Sequence, residues 1–293
     1  MTLGILSSGN LGFDTLKKIL SKTDFQVKFI ATDYKSETII RLASEHNIPC
    51  FKGNPRNGRA YNFIKKIEVD VIISINYLFL IEEDLINHPN KLIFNIHGSL
   101  LPKYRGRTPH VWAIINGEKE TGITAHIIDQ NCDTGDILKQ IRIPIEHDDT
   151  GGVILEKYAK QYFPIIKSVI SDIRFGKIKP IKQISTEASY FGKRTPEDGL
   201  IDWNSSSEDI RNWVRAQAFP YPGAFTYYNE DKIIIDKVSK VDYLDEDVPF
   251  GKIVSIKPEI IVKSKNGFLK LDEIRTKNYN FKIGKRFNNG DWE

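Results

Sequence analysis

Asn95-Ile96-His97, followed by Gly98, has the residue types and spacing for carbonyl chemistry. Side chains alternate along a β strand, so Asn95 and His97 point the same way. An amide N–H can stabilise a developing oxyanion. An imidazole can take a proton from an attacking amine. Taken alone, the pair also reads as a polar strand end with a hydrogen-bonded histidine. A second stretch, Asp129-Gln130-Asn131-Cys132-Asp133-Thr134-Gly135-Asp136, follows a predicted strand over 122–128. Acids in such a loop also form turns, and their spacing lacks the pattern of a calcium-binding EF-hand. Together the two stretches make an acyl-transfer constellation of amide donor, histidine and carboxylate. The carboxylate would orient the imidazole and favour its protonated form. No serine or cysteine nucleophile is needed when the substrate brings an amine. His126 lies on the strand before the acidic loop, where it can approach the same site.

These residues need a scaffold, and the hydrophobic pattern supplies one. Residues 3–6 predict a strand, Ser7-Ser8-Gly9-Asn10-Leu11-Gly12 a small-residue loop, and Phe13, Leu16, Ile19 and Leu20 a helix. Strands over 25–32, 69–75 and 92–96 follow, with a helix through Ile39, Ile40, Leu42 and Ala43 between the first two. Near-continuous β-branched runs such as 69–75 mark strands covered on both faces. Alternating strands and helices imply βαβ units with right-handed crossovers, hence an α/β fold with a mostly parallel sheet. Ligands bind beyond the carboxyl ends of such strands. A long amphipathic helix is expected over 153–173, ended by Phe175-Gly176, and another over 210–218 with Ser207 as its N-cap. Short segments at 224–228, 232–238, 251–256, 260–263 and 268–274, separated by turn residues, predict a small β-barrel or sandwich. The expected division is 1–200 and 201–293, and a chain of 293 residues suits about two domains.

Composition narrows the function. Hydrophobic residues are 40% and charged residues 27%, which excludes collagenous, mucin-like and wholly disordered chains. The net charge of +4 is spread without a basic block, so nucleic-acid binding is not expected. A local cationic pocket for a phosphorylated small molecule is compatible with it. No apolar run approaches roughly 18 residues, so no membrane span is expected. The first residues do not make a secretory leader. Cys50 and Cys132 are too few for a disulfide framework or a thiolate zinc site, which suggests reduced thiols in the cytoplasm. His46, His88, His126 and His147 lack metal-ligand spacing, so no metal is expected.

Asn95-Ile96-His97-Gly98-Ser99-Leu100-Leu101-Pro102-Lys103-Tyr104-Arg105-Gly106, with Asp133-Thr134-Gly135-Asp136 downstream, resembles the folate-dependent formyltransferases. The likeness continues through Arg194-Thr195-Pro196-Glu197-Asp198, Ile201-Asp202-Trp203 and Pro220-Tyr221-Pro222-Gly223-Ala224-Phe225, and so covers nearly the whole chain. It implies a Rossmann-like catalytic domain over 1–200 and a small OB-like β-barrel over 201–293. It implies 10-formyltetrahydrofolate as formyl donor and Asn95, His97 and Asp133 as catalytic residues, with Asn95 and a protonated His97 facing the oxyanion. A pterin pocket would draw on Leu78, Phe79, Leu80 and Ile81, with Asp129 and Gln130 on its other wall. Ser8, Gly9 and Asn10 resemble a phosphate-contacting loop before a helix N-terminus, a physical anion site. Arg105, Arg107 and His110 would reach a diphosphate or the sugar, arginine being suited to bidentate phosphate binding. Each arginine also reads as a structural ion-pair residue. Trp112 and Tyr221 read as base-stacking or core aromatics.

Within that resemblance, the basic insertion of methionyl-tRNA formyltransferase is missing after the second strand, where Asp33-Tyr34-Lys35-Ser36-Glu37-Thr38 leads directly into a helix. Glycinamide ribonucleotide formyltransferases are shorter and lack the β appendage. The expected acceptor is a nucleotide-linked dideoxy amino sugar, dTDP-4-amino-4,6-dideoxyglucose first, for O-antigen and lipopolysaccharide biosynthesis. The 3-amino isomer and UDP-4-amino-arabinose are the alternatives, then methionyl-tRNA. The resemblance also suggests a homodimer. A different class, a non-catalytic folate or nucleotide binder, stays open. Single-strand binding by the β appendage is opposed by Asp242, Asp245, Glu246 and Asp247.

Overall fold

A parallel sheet needs a crossover between each pair of strands, and the first hundred residues provide them. The computed structural model describes residues 1–243 and 247–288; Asp245 and Glu246 lie outside the described residues. In chain order the elements are β1 (Thr2–Ser7), α1 (Gly9–Lys22), β2 (Gln26–Thr32), α2 (Glu37–Glu45), β3 (Cys50–Lys52), α3 (Arg59–Ile64), β4 (Val71–Ile75), α4 (Glu83–Ile86) and β5 (Leu92–His97). There follow β6 (Arg105–Gly106), α5 (Pro109–Ile115), β7 (Glu120–Ile127), β8 (Ile137–Pro144), α6 (Gly151–Arg174) and β9 (Tyr190–Phe191). Contacts divide the chain into two compact units that interleave along the sequence. One is Met1–Gly106, Gly122–Ile143 and Lys157–Phe191; the other is Arg107–Thr121, Pro144–Glu156 and Gly192–Glu293.

The first unit is built on a seven-stranded sheet of order β3-β2-β1-β4-β5-β7-β8. Every residue of β4 is buried, and each aliphatic side chain so covered contributes about 1.5–3 kcal/mol. That explains why the β-branched run sits between two parallel neighbours, β1 and β5. The order reverses between β1 and β4, so their carboxyl ends flank the switch point where such sheets bind ligands. β7 is the exception to the parallel rule and pairs antiparallel with β5. The small-residue loop is tighter than its composition suggested. Ser7 closes β1, α1 begins at Gly9, and the helix buries Gly12, Thr15, Leu16 and Ile19 at helical spacing. The short elements β3 and α3, and strand β8, carry too little apolar periodicity to be read from sequence.

The second unit holds α7 (Ser207–Gln217) and strands β10 (Ala224–Tyr228), β11 (Asp231–Val241), β12 (Ile253–Ser255), β13 (Ile261–Ser264) and β14 (Gly267–Ile274). The N-cap of α7 is Ser206, one residue before the expected Ser207; its hydroxyl accepts the Asp209 N–H at 3.1 Å. The strands form an antiparallel sheet of order β10-β11-β14-β13-β12. Residues 284–288 then join its two edges. Asn288 exchanges backbone bonds with Tyr227 at 3.0 and 3.2 Å, Ile253 N–H donates to Lys285 O at 2.9 Å, and Phe287 N–H donates to Gly251 O at 2.9 Å. The enclosed core contains Trp203, Ile210, Val214, Ile235, Leu269 and Phe287. This is the small barrel expected after the α/β portion. Among the described residues no helix is long and apolar enough to cross a membrane.

Candidate active site

The antiparallel register of β5 and β7 assembles the site. Asn95 lies opposite His126, and His97 lies opposite Thr124. Residues two apart on a strand share a face, so all four side chains occupy one side of the sheet. Asn95 Nδ2 is 3.3 Å from His126 Nε2. His126 Nδ1–H donates to the Ile127 carbonyl at 2.8 Å. Its Nε2 stands between the Asn95 amide and the Asp133 carboxylate, and the amide keeps a hydrogen to donate. His97 Nε2–H donates to Tyr104 O at 2.8 Å, leaving Nδ1 as the nitrogen that can exchange a proton. Asp133 reaches both rings, Oδ2 standing 3.6 Å from His97 Nδ1 and Oδ1 standing 3.5 Å from His126 Nε2. Oδ2 also accepts the Gly106 N–H at 2.9 Å.

Burial pushes the His97 imidazole below its ordinary pKa, and the Asp133 charge pulls against that without reversing it. The resting ring is biased neutral because it lies inside the fold, so the protonated ring expected at the oxyanion would form during the transfer. Burial would raise the Asp133 carboxyl, but the two imidazoles and the Gly106 N–H hold it well below the usual carboxylate range. The backbone donor acts even when His97 is neutral, so Asp133 rests ionised. A neutral base beside a fixed carboxylate can accept a proton and become a stabilised imidazolium.

Neighbouring side chains fix the two stretches. Thr124 Oγ1 donates to Ser99 O at 2.6 Å and accepts from Leu101 N at 3.2 Å, which pins the turn leaving β5. Tyr158 and Tyr162, on α6, donate to Gly98 O at 2.9 Å and Ile96 O at 3.4 Å. Gly135 packs where a Cβ would fall 1.9 Å from Ile127 O, so the acidic loop closes tightly on β7. Gln183 donates to both Asp133 O and Gly135 O. Thr124 became legible once the β5–β7 register was known; nothing in the local sequence marks Gln183.

Of the two loops expected to hold a pterin, 78–81 follows β4 at the switch point and 129–133 follows β7, two strands along the sheet. Leu78 and Leu80 are 49% and 61% exposed. Phe79 packs edge-on to Tyr77 with ring centroids 5.4 Å apart. Ile81 turns inward onto the core beneath. On the other loop, Asp129 accepts from Thr134 Oγ1 at 2.6 Å and from Asn131 N–H at 3.1 Å, and Gln130 is exposed. Exposed apolar side chains beside polar backbone fit a flat heteroaromatic ring.

The residues expected to meet the acceptor are placed less uniformly. Ser8 is fully buried, and its hydroxyl faces Asp33. The Gly9 N–H is taken by Ser36 Oγ at 2.9 Å, while Gly9 and Asn10 are exposed. The anion-site reading therefore loses the Ser8 side chain, which the fold turns inward. Arg105 is also buried; its guanidinium donates to Gln183 Oε1 at 2.7 and 3.1 Å and to the Tyr190 hydroxyl. This is the structural alternative for that arginine. In the other unit, Arg107 is exposed. His110 is buried against the Tyr221 hydroxyl at 2.6 Å, and burial pushes it down to about 4. Trp112 lies under the Arg194 guanidinium, 4.9 Å from the ring centroid.

Known proteins carry the same two-part organisation. Residues 34–170 match the formyl transferase family, and residues 193–291 match its C-terminal domain. The chain belongs to the formyltransferase family and is an enzyme of that class. It is 40% identical over 253 residues to the bifunctional polymyxin resistance protein ArnA of Wigglesworthia glossinidia brevipalpis, which covers 83% of this chain and 38% of that protein. The chain thus spans well under half the length of that relative. WlaRD, a sugar 3N-formyl transferase crystallised in the presence of dTDP and 5-N-formyl-THF, shares the fold with a TM-score of 0.72 and 25% identity over 93% of this chain and 98% of its own. A 4-N formyltransferase from Francisella tularensis has a TM-score of 0.66 and 25% identity, covering 80% of this chain and 96% of its own.

Proposed function

We propose that this chain transfers a formyl group from 10-formyltetrahydrofolate to the amine of a nucleotide-linked dideoxy amino sugar. The acceptor we assign is dTDP-4-amino-4,6-dideoxyglucose, on the path to O-antigen or related surface polysaccharide. The observation that carries the reading is the convergence of Asn95, His97, His126 and Asp133 on one sheet face. The likeness to two sugar formyltransferases supports a sugar acceptor. One of these is described as 3N and the other as 4-N, so the 3-amino isomer is the second reading.

The donor supplies a formyl group already activated on nitrogen. Leu78, Phe79, Leu80 and Ile81, with Asp129 and Gln130, form its binding walls. Asn95 donates its remaining amide hydrogen to the negative charge that develops on the formyl oxygen. As the amine nitrogen bonds to the formyl carbon, His97 collects the proton that the amine must lose, and Asp133 stabilises the resulting imidazolium; the tetrahedral adduct then breaks its bond from carbon to the folate nitrogen, and the imidazolium returns the proton to that nitrogen as tetrahydrofolate leaves. Asn10 has the exposure needed to meet a diphosphate, and Ser8 and Arg105 serve by holding the structure around them; in the other unit Arg107 is exposed and His110 is buried. In this reading 1–200 carries catalysis, 201–293 serves a homodimer, and the enzyme is cytoplasmic and needs no metal.

The test is transfer from 10-formyltetrahydrofolate to that sugar by wild type and His97→Ala, followed by product mass. Wild type should add one formyl group, and His97→Ala should lose activity by orders of magnitude while remaining folded. An active, stable His97→Ala variant would sink the assignment.

A further inference from the structure

Asp133 has φ 57°, the left-handed region that a residue with a Cβ enters at a cost. Such a conformation persists only where the surroundings over-determine it. Its carboxylate is held at one end by the Gly106 N–H. Its backbone is held by a single side chain from a distant part of the sequence. Gln183 Nε2 donates to Asp133 O at 2.8 Å and to Gly135 O at 2.7 Å, the two carbonyls flanking Thr134. Gln183 Oε1 accepts from Arg105 at 2.7 and 3.1 Å. Both hydrogens of the amide are used, and its oxygen accepts two bonds. Arg105 directly precedes Gly106, so one amide ties the backbone of Asp133 to the strand that grips its carboxylate. The Arg105 guanidinium is itself braced, 5.2 Å over the Tyr190 ring.

We infer that Gln183 is a positioning residue for formyl transfer, fixing the Asp133 carboxylate against His97 and His126 through the backbone of the acidic loop. The inference rests on the reading that Asp133 serves the proton transfer. Gln183 touches none of the reacting atoms and acts through Asp133 alone. Only a side-chain amide fits the role. A glutamate in its place would keep the acceptor for Arg105 and set a carboxylate against two carbonyl oxygens.

The experiment compares Gln183→Leu and Gln183→Glu with wild type in two ways. The first follows the titration of His97 by NMR on histidine-labelled protein, which needs no acceptor. Displacing Asp133 removes the charge that favours the imidazolium, so His97 should titrate at lower pH in either variant, in the direction of Asp133→Asn. The second measures kcat and KM. A misplacement near 1 Å costs roughly 100-fold in rate, so kcat should fall by about that factor with KM little changed. On an Asp133→Ala background, Gln183→Leu should cost nothing further. The inference is overturned if His97 titrates as in wild type in a folded variant, or if Gln183→Leu costs the same factor with and without Asp133. If Gln183→Leu fails to fold, Gln183→Glu, which keeps the Arg105 contact, decides both arms. Should the wild type formylate no amine, the functional reading falls and the NMR titration still decides the positioning role.

Discussion

Replacing Asp133 by asparagine keeps the shape of the acidic loop and removes one charge. The carboxylate stands 3.6 Å from His97 Nδ1, and both side chains are at most 13% exposed. At that separation a charge pair is worth about 1 kcal/mol with water-like screening and about 5 kcal/mol at an effective dielectric near 20. Losing a midpoint of about 3 kcal/mol of this attraction lowers the His97 pKa further. If the imidazolium is fully formed in the transition state, the same energy costs about 100-fold in kcat. The assay is initial-rate formyl transfer across pH, with circular dichroism to confirm folding. Because His97 must be neutral to accept a proton, activity rises as pH passes upward through its pKa. In Asp133→Asn that limb should move to lower pH while the plateau falls. A folded variant with a plateau within about twofold of wild type, or with an unmoved limb, would refute the reasoning.

Two further outcomes follow from the packing. Gly135→Ala forces a Cβ toward the Ile127 carbonyl, which cannot swing away as a side chain would; the variant should lose about 1–3 kcal/mol in urea unfolding, with a parallel fall in kcat. His110 is held near a pKa of about 4 by burial. Its unfolded form binds a proton below about pH 6.5 and the folded form does not, so stability is complete above that value and falls by up to about 3 kcal/mol toward pH 4. Urea unfolding of His110→Asn at several pH values should show a shallower slope over that window; an unchanged slope would exclude His110 as the cause.

The parallel core was legible because β4 and β5 are apolar runs whose length and β-branching leave few other uses. The pairing of Asn95 with His97 followed from strand alternation. The meeting with Asp133 needed the family likeness, since the antiparallel turn of β7 beside β5 is a tertiary choice that local periodicity does not encode. The small barrel was visible as short strands between turns, whereas its closure through 284–288 depends on isolated bridges with no sequence signature. Charge type at Arg105 and hydroxyl type at Ser8 do not report burial. Both looked like ligand contacts, and both are buried by neighbours distant in sequence. Gln183 was invisible for the same reason, its three partner residues being recruited from two other segments. The neutral bias of the resting His97 was not legible, because burial, which sequence does not report, outweighs the nearby carboxylate.

The decisive measurement is a formyl-transfer assay with 10-formyltetrahydrofolate and three acceptors in parallel: dTDP-4-amino-4,6-dideoxyglucose, its 3-amino isomer and methionyl-tRNA. Product mass is the readout. A gain of one formyl group on the 4-amino sugar nucleotide is the predicted result. Formylation of the tRNA alone, with both sugars unchanged, would contradict the sugar acceptor.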